Sequence, residues 1–238
     1  MCYHNALTAS AQALSNRFSA ALVEPENYTP FFWENGFEHK PRPILTSDKP
    51  NLFLPIAWGL IPRWVENYEK ALKHQNKTLN ARSETIFETP SFRESILKRR
   101  CLIPSTGFYD SREVGKLTIP YRVFVQEEEI FSIAGVWDEW TDPQTGEVKL
   151  TYSMLTTAPN SKFSKIHNRM PMILPRSLES VWLDPDFKRK DQIEPLIQIY
   201  PEDKIDFYPI RKFKPGDQNN PDILKKVEYQ ELSQQELF

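Results

Sequence analysis

Twenty prolines against seven glycines narrow what this 238-residue chain can become. Proline fixes φ and donates no backbone hydrogen bond, so it interrupts helices and favours extended segments and turns. Glycine, which lets a backbone wrap closely round a phosphate, is too scarce for a glycine-cradled phosphate loop. Extended, proline-punctuated segments are therefore expected to be common. A core to hold them is present: 15 Phe, 9 Tyr and 6 Trp stand within an apolar fraction of 39%, which excludes wholesale disorder. No internal repeat and no Gly/Ser linker divides the chain.

Charge and cysteine usage exclude further classes. Thirty Lys and Arg against 32 Asp and Glu leave a net charge of −2, so a nucleic-acid site must be a local patch. Cys2 and Cys101 are the only cysteines, which excludes a disulfide scaffold and fits a reducing compartment. The first basic residue is Arg17 and no long apolar run follows it, so no secretory signature is read. The apolar stretch near 52–62 is too short to span a bilayer and is broken by Pro55. A cytoplasmic protein with no membrane association is expected.

Apolar spacing at Ala11, Leu14 and Phe18 predicts a helix over Thr8–Leu22. Residues 25–50 read as irregular or short-strand structure. Ser91–Glu94 has the spacing of a capping box, predicting a helix to about Arg100. Cys101–Pro104, Tyr121–Val125, Ile130–Trp137 and Lys149–Thr156 read as strands, with a turn at Asp142–Gly146. Short helices are expected at Asn160–Ile166, Arg176–Leu183 and Gln192–Tyr200. Strands joined by turns make this an α+β chain with an antiparallel or mixed sheet. One domain over residues 1–238 is expected, its core at about 2–214 and a polar tail at 215–238 that packs loosely or wraps the surface.

Cys2 is the most informative residue. Loss of Met1 would leave a thiol and an α-amine on adjacent carbons. Their reference pKa values, ~8.5 and ~7.7–8.0, leave a useful nucleophilic fraction of each near neutrality. The amine can form an imine with an aldehyde, and the thiol can then close a five-membered thiazolidine with the advantage of proximity. The other reading of Cys2 is an ordinary residue on a frayed terminus. Cys101, beside an apolar stretch, reads as a buried structural residue.

Among His4, His39, His74 and His167 no pair has zinc-ligand spacing, and the cysteines form no CxxC, so neither a metal site nor a cofactor is expected. His167, inside Ile166–Pro171 with Arg169, is either an acid/base or a hydrogen-bonded, half-buried histidine. In Asn80–Thr85, Arg82 can grip a phosphate and Asn80 can hydrogen-bond a sugar, with Ser83 beside them; a solvated loop is the alternative. Asp110 follows two aromatics, where a carboxylate can shuttle protons or simply serve a turn. Trp58 and Trp64 can flank an unstacked base or pack the core. The basic clusters at Lys98–Arg100, Lys188–Lys190 and Arg211–Lys214 can meet phosphates or lie on solvated faces.

Taken together, Met1-Cys2, Trp58–Trp64, Asn80–Thr85, Arg99–Asp110, Phe131–Trp137, Leu155–Thr157 and Ile166–Leu174 resemble the SOS-response-associated peptidase (SRAP) family. That resemblance implies a barrel-like, mainly antiparallel sheet in one α+β domain, and a partner, single-stranded DNA containing abasic sites, met by a monomer. It implies that Cys2 forms a thiazolidine with the opened deoxyribose aldehyde. By the same match Asn80 lies beside that linkage, Arg82 contacts the backbone phosphate, and His167 assists ring opening and proton transfer. Ser83, Arg169, His4, Trp58 and Trp64 are the further expected DNA contacts. A Schiff-base intermediate would also permit strand cleavage, and the peptidase label would reflect self-removal of Met1 or a proteolytic activity. Two positions depart from the family pattern. Tyr3-His4 stands where Gly-Arg is usual, so a titratable His4 replaces a fixed charge. Asp110 falls where glutamate is usual, a reach shorter by about 1.5 Å. Three functions follow: covalent capture of abasic DNA, a cysteine peptidase of the N-terminal-nucleophile type, or a non-enzymatic single-strand binder.

Overall fold

A computed structural model describes residues 2–235; Met1 and the last three residues of the tail lie outside the described residues. Fourteen strands run in chain order: β1 (His4–Leu7), β2 (Ala21–Leu22), β3 (Phe31–Asn35), β4 (Pro41–Thr46), β5 (Lys49–Trp58), β6 (Asn80–Arg82), β7 (Arg100–Ser105), β8 (Gly107–Val114), β9 (Leu117–Val125), β10 (Phe131–Thr141), β11 (Val148–Thr157), β12 (Met170–Pro171), β13 (Ile173–Leu174) and β14 (Ile205–Pro209). The helices are short: α1 (Ala11–Phe18), α2 (Tyr68–Gln75), α3 (Ser95–Lys98), α4 (Arg176–Leu183), α5 (Lys190–Ile193) and α6 (Gln230–Gln235).

Five strands close on themselves. β11 pairs β10, β10 pairs β7, β7 pairs β4 and β4 pairs β5, all antiparallel; β5 then returns parallel to β11 at Ala57↔Thr151 and Trp58↔Tyr152. The ring is tight enough to demand glycine at one point. A Cβ on Gly135 of β10 would lie 2.7 Å from Cys101 Sγ and 2.9 Å from Ile103 Cδ1 on β7, so the missing side chain is what lets these strands meet over a packed interior. Cys101 is fully buried there, and burial alone pushes its thiol well up, as a structural cysteine requires. A second antiparallel sheet, ordered β14-β9-β8-β1-β3, lies beside the ring. The result is one mixed α+β domain with a barrel-like sheet.

The strands agree with the β-branched and aromatic runs, and α4 has the expected span, Arg176–Leu183; the other expected helices differ from their patterns, for identifiable reasons. α1 begins at Ser10, whose hydroxyl accepts from Ala13 N at 3.2 Å, and ends at Ser19 in the left-handed region. The remainder of the expected Thr8–Leu22 helix is lost to β2, which pairs with Leu52 and Phe53 of β5. The capping-box helix shrinks to α3, four residues long. Arg100 is drawn into β7, and its guanidinium donates to the carbonyls of Trp182, Ile96, Leu97 and Asp184 at 2.5–3.2 Å. Arg99 and Arg100 are thus buried pins rather than part of a solvated cluster. Asn160 caps the 3-10 turn Phe163–Lys165, all that forms of the next expected helix. Only α5 and one 3-10 turn occupy the Gln192–Tyr200 region. In the tail, Asp217 accepts both Arg211 guanidinium nitrogens at 2.6 and 2.8 Å and Ile223 is buried, so the segment wraps the domain and is pinned to it.

One buried charge bridges the two sheets. Arg42 Nε on β4 donates to Glu34 Oε1 on β3 at 2.8 Å. Burial nevertheless pushes the Glu34 carboxyl up to about 7, from 4.5. Unfolding between those values releases a proton the native state holds, so stability falls as pH rises through that window. Glu34→Gln should flatten the decline in urea midpoint between about pH 5 and about pH 8. A slope equal to that of the parent protein would show that Arg42 keeps Glu34 ionised throughout.

Candidate active site around Cys2

The site is built where the first strand is threaded between two others. β1 pairs β3 on one edge and β8 on the other, with His4 opposite Tyr109, so the residue preceding β1 runs alongside Asp110. Cys2 is fully buried, and its thiol donates to Asp110 Oδ2 at 3.2 Å. The other carboxylate oxygen accepts Ser111 N at 2.9 Å, which fixes the plane of the group. His167 Nδ1 stands 3.8 Å from Asp110 Oδ2, with a quarter of its side chain exposed. The ring is oriented by the backbone N–H of Arg169, which donates to Nδ1 at 3.0 Å. From β6, which runs parallel to β11, Asn80 Nδ2 donates to the Cys2 carbonyl at 2.9 Å. Asn80 Oδ1 is buried and has no hydrogen-bond partner among the described residues, an acceptor left to be satisfied.

The thiol is not the partly ionised group that reference values suggest. Burial first, then the charge of Asp110 and the hydrogen bond to it, push the Cys2 thiol well above its ordinary range, against the opposing pull of Arg169. At neutral pH Cys2 therefore carries its proton, directed at Asp110 Oδ2.

Cys2, Asn80, Asp110 and His167 are thus brought together from the segment leading into β1, from β6, from β8 and from the loop before β12. The expected DNA contacts divide. Arg82 is exposed two residues along β6 from Asn80, and its side chain makes no hydrogen bond or ion pair among the described residues. Trp64 is 50% exposed, edge-on to His74 at 5.2 Å. Trp58 is in the core: its indole N–H donates to Leu79 O at 2.7 Å and its ring stacks on Tyr152, so it is withdrawn from any base. Ser83 is buried. His4 lies between Trp33 and Phe213, 5.3 and 5.0 Å between centroids, and burial lowers its pKa; it is a neutral packing residue rather than a stand-in cation. Arg169 is committed to Glu84 through two bonds of 2.6 and 2.9 Å, and to Thr156 O at 2.5 Å, so its charge is spent inside the protein.

A model of the SOS response associated peptidase (SRAP) family matches residues 1–213. The chain belongs to the SRAP family. Among its relatives is the abasic site processing protein YoqW of Bacillus subtilis, 33% identical over 184 residues, covering 76% of this chain and 80% of YoqW. The abasic site processing protein HMCES of Gallus gallus is 31% identical over 199 residues, covering 74% of this chain and 58% of that protein. A crystal structure of a protein from Bacteroides thetaiotaomicron superposes with a TM-score of 0.89 at 37% identity, covering 95% of this chain and 100% of the other.

In this SRAP protein one residue pair escaped sequence reasoning. Glu84 and Arg169 stand 85 positions apart and form a bidentate clamp that draws the His167 loop onto the Asn80 segment. The available signal was opposite charge in two polar segments that each held a candidate group. No helix among the described residues is long and apolar enough to cross a membrane.

Proposed function

We propose that this SRAP protein captures abasic sites in single-stranded DNA as a covalent adduct on Cys2. The observation that carries the proposal is the hydrogen bond from the Cys2 thiol to Asp110, set beside His167 and the unpaired Asn80 Oδ1. Removal of Met1 frees the α-amine. The amine adds to the C1′ aldehyde of the ring-opened deoxyribose and expels water, giving an imine. In this reading the otherwise unsatisfied Asn80 Oδ1 accepts from the nitrogen, while Asn80 Nδ2 holds the Cys2 backbone. The thiol then adds across the C=N bond: sulfur bonds to carbon, Asp110 takes the thiol proton, and nitrogen regains a proton as the thiazolidine closes. His167, half-buried with an exposed edge, exchanges protons with the sugar during ring opening. The same imine acidifies the C2′ hydrogen, so β-elimination with strand cleavage competes whenever closure is slow.

A cysteine peptidase needs an easily ionised thiol, and burial beside a carboxylate works against that; we confine proteolysis to loss of Met1. One chain supplies all four groups, in keeping with a monomer. The recessed position of Cys2 favours single strands, because stacked duplex would bar the sugar from it.

Intact mass spectrometry after mixing with abasic single-stranded DNA tests the proposal. The expected species lacks Met1 and carries the oligonucleotide less one water; undamaged DNA gives none. Processed protein that binds abasic DNA and gains no mass would instead mark a non-enzymatic binder. Arg82→Ala should weaken binding and reduce the slope of log affinity against log salt by about one, measured by titration at several salt concentrations. An unaltered slope would leave Arg82 with a structural role.

A further inference from the structure

An abasic nucleotide has no base of its own, so a protein that holds one must grip its neighbours. Beside Cys2 the chain sets two aromatic rings. Tyr3, next in sequence to the nucleophile, is half-buried, and its ring lies 5.0 Å from that of Phe37, tilted by 46°. Phe37 is 45% exposed, so part of its ring is open to solvent. Antiparallel pairing of His4 with Tyr109 sets Tyr3 alongside Asp110, and with Phe37 against Tyr3 the pair adjoins the site; burial, then Cys2 and Asp110, raise the pKa of the Tyr3 phenol.

The surroundings hold the rings still. Gly36 N donates to Tyr3 O at 2.8 Å, tying the strand entry to the 3-10 turn Gly36–Glu38. Asn35 caps that turn by accepting Phe37 N at 3.1 Å. A Cβ on Gly36 would lie 2.9 Å from the Trp58 ring, so the turn sits directly on the core. His39, left-handed at φ 51°, locks its end by a 2.7 Å contact from Nδ1 to Trp58 O. An exposed ring on a rigid mount is suited to stacking, because little side-chain freedom is lost on contact.

We infer that Tyr3 and Phe37 form a stacking platform for the base adjoining the abasic nucleotide, with the exposed face of Phe37 as the contact. This rests on the proposal that Cys2 meets abasic DNA. Such a contact tolerates any base, since each has a π-face, and is indifferent to salt because neither ring is charged.

The test uses full-length protein and single strands carrying a tetrahydrofuran abasic analogue, which has no aldehyde and reports reversible binding alone. One oligonucleotide has ordinary bases on both sides of the analogue; the other has further tetrahydrofuran residues there. Phe37→Ala should bind the first about tenfold more weakly and the second nearly as the parent does, with an unchanged salt slope. Phe37→Trp should restore affinity, and Tyr3→Ala should show the same dependence on flanking bases. Equal losses on both oligonucleotides, or no loss on the first, would overturn the platform. Adduct formation by the parent protein on natural abasic DNA is scored separately. A missing adduct with a persisting flank-dependent effect would sink the Cys2 chemistry and leave the platform standing.

Discussion

Cys2→Ala should abolish the denaturation-resistant adduct with abasic single-stranded DNA while reversible binding persists. Alanine is small enough for Met1 still to be trimmed, so the variant keeps its α-amine and can still form an imine. With no thiol to add across the C=N bond, that imine has two exits, hydrolysis and β-elimination. The stable product should vanish from a denaturing gel run without borohydride, and strand cleavage should rise relative to capture. Borohydride would restore a cross-link by reducing the imine, which separates loss of the thiol from loss of binding. A heat-stable adduct of parent-like yield in Cys2→Ala, unreduced, would remove Cys2 from the chemistry.

The second large effect is expected at Asp110. The Cys2 thiol donates to this carboxylate at 3.2 Å and is held protonated largely by burial and by Asp110 itself. Asp110→Asn keeps the shape and removes the base, and the rate of closure should fall by about 10²–10⁴, the usual worth of positioned proton transfer. The pH profile should change as well. On the proposed mechanism the carboxylate of the parent protein accepts the proton, so no prior thiolate is needed. In the variant, closure depends on solvent removing the proton, and the thiolate fraction climbs about tenfold per pH unit below the thiol pKa. The variant should therefore recover at alkaline pH along a steeper line, with DNA affinity nearly unchanged. Single-turnover time courses across pH measure this; superimposable profiles would place Asp110 outside the mechanism.

What the sequence made legible follows from how far each determinant reaches. Strands β7, β9, β10 and β11 could be read because β-branched and aromatic runs act locally. The end of α1 could not, since Ala21 and Leu22 are claimed by a partner strand 31 positions away. Cys2, Asn80, Asp110 and His167 could be named from the joint occurrence of their motifs, but nothing in those motifs gave the distances among them. His4, Trp58 and Arg169 were misjudged for one shared reason. Each was an expected DNA contact (core packing being the alternative offered for Trp58), whereas its partners (Phe213, Tyr152 and Glu84) are supplied from remote parts of the chain. The raised thiol pKa was hidden in the same way: it comes from enclosure, which belongs to the assembled domain.

That enclosure has a chemical corollary. A thiolate attacks a peroxide oxygen and expels hydroxide or alkoxide to become a sulfenic acid, so a cysteine kept in its acid form is slow to oxidise. Cys2 is shut in with its hydrogen retained, and Cys101 is shielded inside the ring. If Cys2 is the nucleophile proposed above, this arrangement preserves its thiol in reduced form until the carbonyl it captures arrives.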